Sequence, residues 1–203
     1  MVYTIIAGVS TVLLAGFSLF LAKSGSTYQW AFLLLAPLIW AVYFLRDKLA
    51  LRPSHFALFA FALLFHDLGT FGFYRSMFLG LRFDSYVHFL FGLVAGVILY
   101  NTFQQRLGLS RRAAIIVVPI FILGLGGIHE LFECFTTILL GPEKGMLKMR
   151  PDEPFDTQKD LMNNLLGAVV AVTWEFLCRA RSRRKEVLED KATVQMRELP
   201  DAG

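Results

Sequence analysis

Acids, histidines and amides recur at helical spacing in a few short stretches of this chain, and these are the residues with chemistry to offer. Asp84 and His88 stand four apart in FDSYVHFLFG, so a helix sets one above the other on the same face. His129 and Glu133 repeat that spacing in HELFE, with Glu130 between them on a neighbouring face. Asp156 opens DTQKDLMNN, where Asp160, Asn163, Asn164 and Gly167 share a helical face. His66 and Asp67 lie earlier in the chain. Three histidines (His66, His88, His129) with several carboxylates are the ligand types that zinc, iron or manganese take. On that reading His66, Asp84, His88, His129 and Asp156 are candidate ligands of a divalent metal, and Glu133, Asp160 and Glu130 are candidate catalytic acids or bases. HELFE ends in Glu where HExxH needs His, so the zincin motif is absent. Metal-free acid–base chemistry by the same groups is a second reading. A hydrogen-bonded polar core that fixes helix register is a third, and proton or ion translocation a fourth.

These residues must be carried by membrane-spanning helices. Of 203 residues 56% are hydrophobic and only 18% charged, where a soluble domain carries about a quarter; the mean hydropathy is +0.56. A span needs roughly 20 mostly apolar residues, and six segments qualify: Val2–Ala22, Tyr28–Leu45, Ser54–Phe73, Asp84–Phe103, Arg112–Leu140 and Thr157–Arg179. The expected fold is all-α, a polytopic bundle of six transmembrane helices over residues 1–180 with a charged tail over 181–203, helical at first and then disordered. Val2–Ala22 has no basic residue ahead of it and exceeds a usual signal-peptide core, so it reads as a first span that stays in place. Pro37 and Pro119 fall inside spans, where neighbouring helices can repair the broken backbone bonds.

Orientation follows from Lys and Arg. With six spans both termini share a side, and that side collects 13 basic residues against 7 on the other. The positive-inside rule puts both termini in the cytoplasm. The formal charge of +4 therefore reflects topology, and nucleic acid is not an expected partner. In this arrangement His66 and Asp67, Asp84 and His88, His129, Glu130 and Glu133, and Asp156 to Asn164 all reach the outer ends of their helices. Charged groups in hydrocarbon cost a few kcal/mol, so they should face one another or a wet cavity. Gly92 and Gly96 continue the Asp84/His88 face as GxxxG, and Gly124, Gly126 and Gly127 precede His129; both sets permit close helix approach.

Plainer readings suffice elsewhere. Arg75 and Arg82 flank the outer mouth and could hold a lipid phosphate or simply snorkel. Met146, Leu147 and Met149 could rest the Gly141–Asp156 loop on the membrane as a lid. Glu175 and Arg179 suit an i,i+4 pair, and His55 sits in an inner turn with no assigned role. Cys134 and Cys178 fall near opposite faces, too far apart to bridge. No Gly-rich phosphate loop, GxSxG or CxxC occurs.

FDSYVHFLFG, HELFE and FDTQKDLMNNLLGA together resemble the YjdF-like bacterial inner-membrane proteins, in which the pattern is D-x-x-x-H-F, E-L-x-E and W/Y-D-x-Q-x-D-M before a Gly-Ala step. Here Phe155 stands at the Trp/Tyr position and Met162 is displaced by one place. More loosely, D-x-x-x-H-F with a late D-x-x-x-N-x-x-G-A is similar to VanZ-like membrane proteins. The resemblance spans the last three helices and implies Asp84, His88, Glu130, Glu133, Asp156, Gln158 and Asp160 as site positions. It supports the site and the six-helix reading, in a bacterial inner (cytoplasmic) membrane, more than any reaction. The expectation is a metal-dependent enzyme acting on lipid or a lipid-linked envelope precursor, with Arg75, Arg82, Gln158, Asn163 and Asn164 binding substrate. The alternatives are a non-catalytic membrane protein or a small transporter.

Overall fold

The computed structural model describes residues 1–24, 32–141 and 155–198, with side chains given up to Arg181 and at Glu189. Six α-helices account for nearly all of it: α1 Val2–Lys23, α2 Phe32–Leu45, α3 Pro53–Leu68, α4 Phe83–Arg106, α5 Arg111–Leu140 and α6 Asp156–Glu198. Five helical segments, those of α1, α3, α4, α5 and α6, are long and apolar enough to cross a membrane. α2 is apolar but has only 14 described residues. The expected start of that span at Tyr28 lies outside the described residues, as does the proposed lid with Met146, Leu147 and Met149.

Local chemistry sets the helix ends. Pro53 occupies the first turn of α3, where a missing N–H costs nothing. Ser110 caps α5 by accepting a hydrogen bond from the Ala113 N–H at 3.2 Å. Pro37 and Pro119 both sit inside helices. Where one span was expected to run from Ser54 to Phe73, α3 stops at Leu68 and two single 3-10 turns follow, Gly69–Phe71 and Phe73–Arg75. Gly72 between them has φ +100°, a conformation open to glycine. The expected loop after Tyr74 contains a small hairpin, β1 Met77–Phe78 against β2 Leu81–Arg82, with Met77 opposite Arg82 and Phe78 opposite Leu81.

α4 stands in the middle. One face, through Val94 and Ile98, joins Ala7, Leu14, Leu35, Ile39 and Phe56 in a core shared with α1, α2 and α3. The other, through Tyr100 and Phe103, packs on Val118 and Ile122 of α5 and on Ala168 and Val172 of α6. Outside these cores the helices present Val12, Leu19, Ile116, Ile120, Ile128, Leu131, Ile138 and Trp174 to the surroundings. Apolar area on that scale suits lipid and not water. Both cysteines are thiols without a disulfide.

Candidate functional site

α4 and α6 run side by side in the same direction, and glycine is the reason they can touch. A Cβ on Gly92 would lie 2.0 Å from the Asn164 carbonyl oxygen, and one on Gly167 would lie 2.1 Å from the Phe89 oxygen. A Cβ on Gly96 would meet the Ala171 methyl at 2.6 Å. Backbones this close bring the residues one turn earlier face to face: His88 before Gly92, and Asp160 before Asn164. α5 closes on the same place through Gly126, whose missing Cβ leaves room for the Asn164 amide at 2.6 Å. Gly124 and Gly127 have nothing within 4 Å, so of the three glycines before His129 only Gly126 makes a close approach.

The result is a compact polar cluster. His88 Nε2 lies 3.7 Å from Asp84 Oδ1 on its own helix and 3.7 Å from Asp160 Oδ2 across the interface. One ligand atom from each of the three residues lies within 4.8 Å of the others. His88 and Asp160 are buried, and Asp84 keeps 29% of its side chain accessible. The separations discriminate between roles. At 3.7 Å neither pair is a hydrogen bond, but two ligands each about 2.1 Å from one cation lie roughly 3–4 Å apart. Asn164, 1% exposed, packs its amide beside the His88 ring, yet among the described residues neither its nitrogen nor its oxygen has a hydrogen-bond partner of good geometry.

Around the triad stand the remaining candidates. The His129 ring is 5.9 Å from that of His88, centroid to centroid, and its Nε2 is held by Glu133 Oε1 at 3.1 Å. Glu130 accepts a hydrogen bond from the Thr157 hydroxyl at 3.0 Å on Oε2, while its buried Oε1 has no hydrogen-bond partner among the described residues. His66 lies within electrostatic reach of His129 and Glu133, but its Nδ1 is engaged by the Tyr74 hydroxyl at 2.6 Å. Tyr74 in turn packs where a side chain on Gly69 would be, 1.9 Å from a Cβ built there. Asp156 interacts electrostatically with Asp160 from one turn away. Arg75 and Gln158 are exposed, and Arg82 and Asn163 half-buried. Of the five ligand candidates the structure thus joins Asp84 and His88, and the third member of their triad is Asp160, read from spacing as a base. Tyr74 and Thr157 are not among the residues singled out from sequence, and Asp67, placed with His66 at the outer end of its helix, has no assigned role there. Asp67 is 1% exposed with Oδ1 unpartnered, and a lone acid near the end of an apolar run was its only signal.

A second polar group lies at the other end of α4 and α6. Arg179 donates to Gln104 Oε1 at 3.0 Å and to Asn101 Oδ1, and pairs with Glu175 at 3.5 Å. Its guanidinium also lies over the Tyr100 ring, 5.4 Å from the centroid. The expected Glu175–Arg179 pair is therefore one part of a larger clamp between the two helices.

Apolar helices of spanning length, lipid-suited outer faces and acids turned inward define a largely helical membrane protein with a buried His/Asp cluster. Residues 3–181 match the family described as "Predicted membrane protein (DUF2238)", and the chain belongs to it. No curated protein matches the chain, and no solved structure does.

Proposed function

We propose that this protein is a six-span membrane protein of the bacterial inner membrane, with both termini cytoplasmic, and that Asp84, His88 and Asp160 hold a divalent cation near its outer face. The YjdF-like resemblance is, on this reading, the same family; the VanZ-like one draws no support from the comparisons. The observation that carries the cation is the pair of 3.7 Å separations about His88 Nε2, too long for hydrogen bonds and right for a shared ligand sphere. A histidine with two carboxylates suits zinc, iron or manganese.

The cation would polarise water or a substrate oxygen. Asp84, the most accessible of the three, faces the direction of approach. Glu133, aligned by its contact with His129, is the base that would take a proton from water. Glu130, with one free buried oxygen, is its nearest substitute. A site at this depth, walled by apolar helices, favours a lipid or lipid-linked envelope precursor whose polar end reaches the cluster. Arg75, Arg82, Gln158 and Asn163 stand where that end would enter.

The test is elemental analysis of protein purified without chelator, beside an Asp160→Asn variant of matched thermal stability. The expected result is about one zinc, iron or manganese per chain, lost in the variant. A well-folded wild type with no stoichiometric metal removes the proposal.

A further inference from the structure

The hairpin between α3 and α4 breaks the rules of its own turn. Its two connecting residues, Leu79 and Gly80, have φ of 51° and 80°. A two-residue turn with both residues left-handed is the tight type that favours Asn-Gly or Asp-Gly. Leucine in that conformation is sterically costly, and this leucine is also 99% exposed. Met77, Phe78 and Leu81 beside it are exposed too. In water such a tip would be unfavourable twice over, through backbone strain and through bare apolar surface.

Its position supplies the missing term. α3 rises about 24 Å over its length and the Gly69–Phe71 turn adds about 6 Å, together the ~30 Å hydrocarbon thickness. The chain therefore emerges from α3 at the boundary between acyl chains and headgroups, and re-enters at Phe83. The backbone there satisfies itself, as such a depth requires: Gly72 N–H donates to Gly69, Arg75 to Gly72, Ser76 to Phe73, and Phe83 to Ser76. The hairpin is also braced by contacts with α4 and the preceding turn. Tyr86 on α4 donates to the Phe78 carbonyl at 2.6 Å, and the Phe78 and Phe73 rings stack near the buried Phe83. Arg75 and Arg82 stand at its foot, where lipid phosphates lie.

We infer that Met77–Leu81 is a membrane-interface anchor, with Leu79 inserted among the acyl chains and Arg75 and Arg82 at the headgroups. The anchor fixes the depth of the first turn of α4, and so of Asp84. It stands whether or not the cluster binds metal.

Two measurements test it. In a Cys134→Ser/Cys178→Ser background, a spin label at Leu79→Cys in proteoliposomes is compared with one at Glu189→Cys in the charged tail. The expected result is relaxation by oxygen over an aqueous nickel chelate several-fold more favourable at position 79. A label as open to nickel as that at 189, or shielded from both reagents as at a protein interface, overturns the inference. Leu79→Asn separates strain from insertion, because Asn suits the turn. Lower thermal stability in bilayers but not in detergent supports insertion, and a gain in both overturns it.

Discussion

His88 Nε2 and Asp160 Oδ2 face each other at 3.7 Å because, one turn further along their parallel helices, Gly92 lets the Asn164 backbone come into contact. The site and the packing are one construction. His88 on α4 meets Asp160 on α6 only while the small residues below them hold the two backbones together.

Replacing Gly92 or Gly167 with Ala should therefore damage both fold and site. The added methyl would sit 2.0 Å or 2.1 Å from a backbone oxygen, which cannot move like a side chain. Overpacking of this kind costs about 1–3 kcal/mol. A clear drop in melting temperature with loss of bound metal is expected. Gly124→Ala and Gly127→Ala, with open space around them, should stay within about 0.5 kcal/mol of the parent.

Arg179→Ala separates stability from the site. It strands buried Asn101 and half-buried Gln104 and Glu175 at the opposite end of the bundle, and leaving such groups unpaired costs about 1–3 kcal/mol. Thermal unfolding should show that loss while metal content per folded chain is unchanged.

Glu133→Gln should fold and keep the cation, since Glu133 contacts His129 and lies outside the triad. Any metal-dependent turnover should fall steeply, by about 10²-fold or more for a general base. Metal analysis and activity on the same preparation check this; loss of metal in Glu133→Gln would move that carboxylate into the ligand set.

A reporter fused after Arg184 should be active in the cytoplasm. Exposure on the other side of the membrane would reverse the topology and place the cluster at the inner face.

Much of this is legible in the amino-acid sequence. Apolar run length located six helices, because in hydrocarbon only a helix satisfies its own backbone. The i,i+4 spacing of Asp84 and His88 placed both on one face, and the Gly92/Gly96 continuation pointed to a close neighbour. Which helix that neighbour was could not be read from spacing, and neither could the partition of acids. The His129–Glu133 contact follows from i,i+4 spacing on α5, but that Asp160 joins His88 is decided by the register of α4 against α6. Tyr74 and the Leu79–Gly80 hairpin were missed for a different reason. A Phe- and Leu-rich connection has no alternation, and Leu-Gly lacks the Asn or Asp that usually marks such a turn.

The proposed site holds one cation among Asp84, His88 and Asp160. Pulsed electron paramagnetic resonance of the manganese-loaded protein reads it most directly, through the nitrogen of a bound imidazole. Coupling to a single histidine nitrogen is expected, abolished in His88→Ala and retained in His129→Ala. Coupling that survives His88→Ala, or manganese bound with no nitrogen at all, would contradict it.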